Sequence, residues 1–125
     1  MHLTGWITLV ALGIYMWTGV NVGRARVKYG VNAPLMDGPL PFQSALRVQG
    51  NTLEQLPLLL APMWMCAALQ SDTWAAAGGA IWCVGRVVYA LAYYADPAKR
   101  SIGFGITMTG TTVALVGAIT GMVLH

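Results

Sequence analysis

Four long stretches almost free of charge dominate this chain, and nothing else in it narrows the possible folds as far. Residues 3–23 contain no Asp, Glu, Lys or Arg; a helix of about 21 residues rising 1.5 Å per residue spans about 31 Å, one hydrocarbon thickness. A second apolar stretch covers residues 56–70, with its helix starting back near Ser44. A third, residues 73–95, is broken only by Arg86, and a fourth, residues 101–124, carries no charge. With 57% apolar and 9% charged residues, against about 25% charged in an ordinary soluble domain, a water-soluble globule could not cover its own apolar surface. The composition excludes a soluble enzyme, a disordered tail and a nucleic-acid module, despite the net charge of +3. Residues 1–125 read as one all-α domain, an integral membrane bundle of four helices.

The connections agree. Residues 29–41 hold Gly30, Pro34, Gly38, Pro39 and Pro41, which no helix can cross. Ser71-Asp72-Thr73 is a tight link in which Asp72 or Thr73 is placed to cap the next helix, and Ala95-Asp96-Pro97 closes the third, because a residue before proline avoids the helical region. The first span does not read as a cleaved signal: no basic residue precedes it and no A-x-A site follows. Arg24, Arg26, Lys28, Lys99 and Arg100 all fall on the side of the first and third loops, whereas the side of the termini has no Lys or Arg. The positive-inside rule places those two loops in the cytoplasm and both termini outside; the small size suggests a bacterial inner membrane.

Cys66 and Cys83 lie within spans and read as small buried hydrophobes, with no partners for a metal site. Gly19 and Gly23, then Gly110, Ala114, Gly117 and Gly121, mark faces that let helices approach closely in lipid.

Polar side chains at membrane depth need a partner or a task. Glu54 lies about eleven residues into the second helix and Arg86 about ten residues from the end of the third, so both sit about 15 Å from one surface. Opposite charges at matched depth suggest an ion pair. Arg47, Asn51 and Glu54 share one helical face, as do Arg86, Tyr89 and Tyr93; Gln49 and Gln55 point elsewhere, toward a neighbouring subunit in one reading. Arg26 ends the first helix and Arg100 begins the fourth. Four arginines with carboxylate, amide and phenol groups in one half of the membrane suit a polar zwitterionic ligand: arginine matches carboxylates, a carboxylate matches an ammonium, and amides read a peptide backbone. Pro57 frees the Leu53 carbonyl beside this set, for a ligand or for a neighbouring donor.

Arg47, Asn51, Glu54 and Pro57 are similar to an R-x-x-x-N-x-x-E-x-x-P second helix, and Arg86, Tyr89, Tyr93 and Lys99-Arg100-Ser101 to a third helix and its following loop. With Pro34, Gly38-Pro39 and Phe42 in the first loop, the chain resembles the MAPEG family, the membrane-associated proteins of eicosanoid and glutathione metabolism. That resemblance implies a homotrimer with glutathione bound in a bent form between neighbouring subunits near the cytosolic face. Carried over position by position, Arg47, Asn51, Glu54, Tyr89 and Tyr93 hold the tripeptide, with Arg26 and Gln49 as additions. Arg86 matches a buried arginine of the prostaglandin E synthase branch, and Ser101 is an auxiliary. Arg100 matches the arginine that stabilises the glutathione thiolate. Gln43-Ser44-Ala45 after Phe42, Gln55 and Val27 depart from the family pattern and leave the substrate branch open.

The resemblance implies a glutathione transferase, with peroxidase activity as a variant, acting on lipophilic electrophiles dissolved in the membrane lipids. The chemistry is intelligible without the name: a thiol of pKa near 8.5 is mostly protonated at neutral pH, and its thiolate is the nucleophile. An arginine cannot give up its proton, so Arg100 can only favour the anion. Two further readings stand beside it. One is a non-catalytic lipid-binding protein of the same fold; the other is a small cation exporter built on Glu54, which its pairing with Arg86 would disfavour.

Overall fold

The computed structural model describes all 125 residues. Its helices are α1 (His2–Tyr29), α2 (Leu40–Leu69), α3 (Asp72–Ala95) and α4 (Ser101–Leu124), with one 3-10 turn at Pro97–Lys99. All four are long and apolar enough to cross a bilayer. At 28 and 30 residues, α1 and α2 reach about 42–45 Å, further than the hydrocarbon core, so they carry their polar ends into the headgroup region. Both begin or end beyond the span expected from apolarity alone: α1 continues past Gly23 and Arg26 to Tyr29, and α2 starts four residues before Ser44, behind Pro39. Charge marks where a helix leaves hydrocarbon, not where its backbone stops being helical.

Gly30 ends α1 in the left-handed conformation (φ 67°) and donates its N–H to the Arg26 carbonyl, a stop that glycine adopts without steric cost. The cap of α3 is Ser71, whose Oγ accepts from Trp74 N at 3.2 Å, rather than Asp72 or Thr73. Asp72 is turned instead to the start of α1, where its carboxylate accepts from Leu3 N and Thr4 N at 3.0 Å and from the Thr4 hydroxyl at 2.6 Å. The N-terminal ammonium lies 3.7 Å from it. Two orphan backbone donors of α1 are thereby satisfied across helices, with the Thr4 hydroxyl as a third donor, so the end opposite the basic loops carries a polar latch that its apolar sequence did not announce.

The central pair is α2 and α3, with α1 and α4 on opposite flanks. The closest approach is between α3 and α4. A Cβ on Gly103 would stand 2.2 Å from Tyr89 N, one on Gly110 2.4 Å from Trp82 N, and one on Gly85 2.4 Å from Thr107 N. Gly110 and Ala114 are buried in these contacts, while Gly117 is buried between Cys66 of α2 and Trp74 of α3 and Gly121 against Leu69 of α2, so the small-residue spacing marks a packing face shared by both neighbours. Gly19 meets Gln49, whereas Gly23 meets nothing within the chain. Cys66 and Cys83 are buried and unpaired. The core of Leu59, Met63, Cys66, Trp82 and Ala114 fills the bundle on the terminal side, leaving the basic end to polar groups.

Candidate functional site

At the basic end, α2, α3 and α4 diverge around a cavity of about 530 Å³ lined by Arg47, Asn51, Tyr89, Tyr93, Arg100, Ser101, Phe104 and Gly105. Each helix supplies residues at helical spacing: Arg47 and Asn51 from one face of α2, Tyr89 and Tyr93 from one face of α3, and Ser101, Phe104 and Gly105 from the first two turns of α4. The close α3–α4 crossing at Gly103 sets Tyr89 against the first of these turns. The rings of Tyr89 and Tyr93 are 5.6 Å apart, and Phe104 lies 6.3 Å from Tyr89. Arg100 immediately precedes α4 and donates to the Pro97 carbonyl at 2.9 Å, which tethers its side chain beside the helix N-terminus. Two guanidiniums and no carboxylate line the cavity, and the positive pole of α4 adds to them. The arrangement favours an anion with several acceptor atoms.

Arg86 stands behind the cavity wall. It is 1% exposed, its Nη1 donates to Asn51 Oδ1 at 2.7 Å, and its Nε donates to the Thr107 hydroxyl at 3.1 Å. The Thr52 hydroxyl is 3.4 Å from Nη1, and the guanidinium lies 4.3 Å from the Tyr89 ring centroid. The ion pair expected between Arg86 and Glu54 is absent. Depth along the axis matches, but direction around it does not: Arg86 meets α2 at Asn51 and Thr52, and at 3.6 residues per turn Glu54 points about 110° away from that contact. Glu54 is instead exposed on the outer face of α2, three residues past Asn51. Because Asn51 accepts from Arg86 through Oδ1, its Nδ2 donors remain free.

Of the residues singled out from sequence, Arg47, Asn51, Tyr89, Tyr93, Arg100 and Ser101 come together, and Arg86 supports them from the second layer of side chains. Arg26, Gln49 and Glu54 do not line this cavity. Arg26 donates to the Leu35 carbonyl at 2.7 Å and lies over the Phe42 ring at 5.2 Å, binding the first loop to α2. Gln49 faces α1, its Nε2 being 3.3 Å from where a Cβ on Gly19 would sit. Gln55 is buried with Oε1 unpartnered. Both glutamines thus turn into the bundle, not away from it. Phe104, Gly105, Thr52 and Thr107 were not anticipated; helical spacing from Arg100 reaches Phe104 and Thr107, a signal present but unread.

Comparison with known proteins agrees with this architecture. The model of the MAPEG family matches residues 4–120. An uncharacterized protein of Synechocystis sp. is 43% identical over 90% of this chain and 82% of its own length. Microsomal glutathione S-transferase 2 of Mus musculus is 33% identical over 82% of this chain and 69% of its own. Leukotriene C4 synthase of Cavia porcellus is 27% identical over 95% and 79% respectively.

Proposed function

The chain belongs to the MAPEG family, and from that premise we propose that it is a membrane glutathione transferase, joining the glutathione sulfur to lipophilic electrophiles drawn from the bilayer. The observation that carries this reading is the convergence of Arg47, Asn51, Tyr89, Tyr93, Arg100 and Ser101 from three helices on one cavity. Glutathione offers two carboxylates, two amides and a thiol. Arg47 suits a carboxylate, the free Nδ2 of Asn51 suits a peptide carbonyl, and the two phenols supply further donors. A volume of about 530 Å³ lies inside the ~300–1,000 Å³ range of small-ligand sites.

Arg100, at the head of α4, is assigned to the sulfur. Lowering a thiol pKa by two takes about 2.7 kcal/mol of preference for the anion, within reach of a partly desolvated guanidinium aided by a helix N-terminus. The thiol proton leaves to water. The sulfur then forms a bond to an electrophilic carbon, and the displaced electron pair departs on the leaving group or opened ring. Ser101 is placed to hydrogen-bond the same sulfur. Arg86 fixes the amide orientation of Asn51, and so acts through it.

Glu54 supports assembly. A carboxylate exposed on the flank of a membrane helix is costly against lipid, so we assign that face of α2, with Arg47 and Glu54, to contact with a second copy of the chain in a homotrimer. Arg26 and Glu54 then belong to the tripeptide site across the subunit boundary. The basic loops are assigned to the cytoplasm by the positive-inside rule, and the cavity opens on that side. The cation-exporter reading fares worse, although not through an Arg86 pair: Glu54 lies outside a cavity whose charged lining is two arginines.

Titration of the detergent-solubilised protein with glutathione, with thiolate absorbance followed in parallel, tests the proposal. Wild type binds and develops the thiolate signal, whereas Arg100→Ala binds but loses the signal and conjugates at least ~100-fold more slowly. Unchanged turnover in Arg100→Ala removes that residue from the mechanism. A wild-type protein that binds fatty acid but forms no thiolate is a lipid-binding member of the family instead.

A further inference from the structure

On the opposite flank of the basic end, α1, the start of α2 and the end of α3 enclose a second cavity of about 680 Å³ that shares no residue with the first. Its α1 wall presents Trp17, Asn21, Arg24 and Lys28, spaced i, i+4, i+7 and i+11 on one face and spread over about 16 Å of helix axis. Tyr94 faces them from α3. Its ring meets Trp17 edge-on at 6.1 Å, and its hydroxyl oxygen accepts from Asn21 Nδ2 at 3.1 Å. Accepting in this way leaves the Tyr94 proton without an acceptor in the chain. Arg24 and Lys28 are exposed and form no ion pair; the chain's one such pair is at the other end, between the N-terminus and Asp72. From the membrane interior outward the wall therefore runs from aromatic, through hydroxyl and amide donors, to two cations.

We infer that this cavity seats the phosphate-bearing headgroup of an anionic phospholipid, with Arg24 and Lys28 on the phosphate and Asn21 and Tyr94 on the glycerol ester oxygens. The order of groups along α1 is the order of groups in such a lipid: hydrocarbon, ester, phosphate. Trp17 and Tyr94 occupy the level where amphipathic rings settle in membranes, and basic pockets between membrane helices recognise anionic headgroups. A free organophosphate has the phosphate chemistry but no use for the apolar floor between Trp17 and Tyr94.

Native mass spectrometry of the full-length protein tests the inference, with phosphatidylglycerol and phosphatidylcholine of identical chains supplied at equal mole fraction. The expected result is retention of phosphatidylglycerol over phosphatidylcholine. Retention weakens about 5-fold in Arg24→Gln or Lys28→Gln and about 25-fold in the double variant, the loss that corresponds to about 1 kcal/mol per basic group. Lys99→Gln, a basic residue of the same end outside this cavity, changes retention less than 2-fold. Glutathione titration of the double variant stays at the wild-type value and verifies its fold. Equal loss in Lys99→Gln overturns the inference in favour of diffuse surface charge, and equal retention of phosphatidylcholine overturns it in favour of an apolar crevice. Displacement of the lipid by glycerol phosphate at matched concentration makes it a site for soluble organophosphates and also overturns it.

Discussion

Replacing Gly103 by alanine probes how the α3–α4 crossing builds the site. The added Cβ would lie 2.2 Å from Tyr89 N and 2.4 Å from its Cα, against backbone that cannot rotate away. Ordinary van der Waals contact begins at 3.4 Å, so the helices must separate by about 1 Å, and overpacking of this kind costs about 1–3 kcal/mol or more. The displaced segment is the first turn of α4, with Ser101 and Phe104 in it and Arg100 just before it, and its counterpart is Tyr89, on the same cavity wall. A 1 Å misplacement of reacting groups lowers rates by about 10²-fold. Gly103→Ala is therefore expected to lower kcat/KM for conjugation of a chlorodinitrobenzene about 100-fold and to lower Tm in detergent. Gly110→Ala overlaps Trp82 N at a similar 2.4 Å but lies about 15 Å along α4 from Arg100, so it lowers Tm comparably with a smaller loss of rate. Gly13, with nothing within 4 Å of its Cβ position, tolerates alanine. Wild-type kcat/KM and Tm in Gly103→Ala, or equal damage from Gly13→Ala, would refute the reasoning.

Other perturbations separate the remaining parts. Arg86→Leu removes the donor that orients Asn51 while keeping an apolar side chain in a buried place. Glutathione affinity measured by calorimetry should fall about 10-fold, in line with about 1.5 kcal/mol for a hydrogen bond to a charged group, and a thiolate signal should persist at saturating ligand. Asp72→Ala strips the start of α1 of three acceptor contacts and should lower Tm by an amount equivalent to about 1–2 kcal/mol, with glutathione affinity unchanged because the latch sits at the far end of the bundle. Ser71→Ala removes the α3 cap and is expected to cost about 1 kcal/mol, measured in the same melts. Glu54→Leu, by converting the exposed carboxylate on α2 to an apolar group, should lower glutathione affinity at least ~10-fold if that face borders the tripeptide across a subunit boundary; unchanged affinity with an intact oligomer detaches Glu54 from the site.

Much of the fold was legible in one dimension. Gaps between charges marked four helices, prolines and glycines marked the loops, and small residues of α4 marked its packing face. The gathering of Arg47, Asn51, Tyr89, Tyr93 and Arg100 followed from their common depth and their helical faces, whereas Ser101 entered only through the family resemblance. Two kinds of reading were out of reach. The end of α1 inside the basic residues 24–28 leaves no hydropathy signal, because a helix continues in the headgroup region as readily as in hydrocarbon, and the start of α2 at Leu40 is masked by Pro39 and Pro41, which read as breakers yet fit a first helical turn. Polar contacts between helices, such as Asp72 with Thr4 or Arg86 with Asn51 and Thr107, join residues whose spacing says nothing about one another.

The division has a simple geometric origin. Rise per residue is a property of the chain, so depth along the bilayer normal could be counted for every charge, and the basic end with its arginines was determined in that way. Rotation of one helix against the next depends on which side chains interlock, and at about 100° per residue a small change in that rotation exchanges one partner for another. Glu54 and Arg86 share a depth and face apart; Arg86 and Asn51 share a depth and meet. Only the packed bundle, held by the approach of α4 to α3 at Gly103 and Gly110, decided that two arginines would line one cavity while the carboxylate stayed outside it.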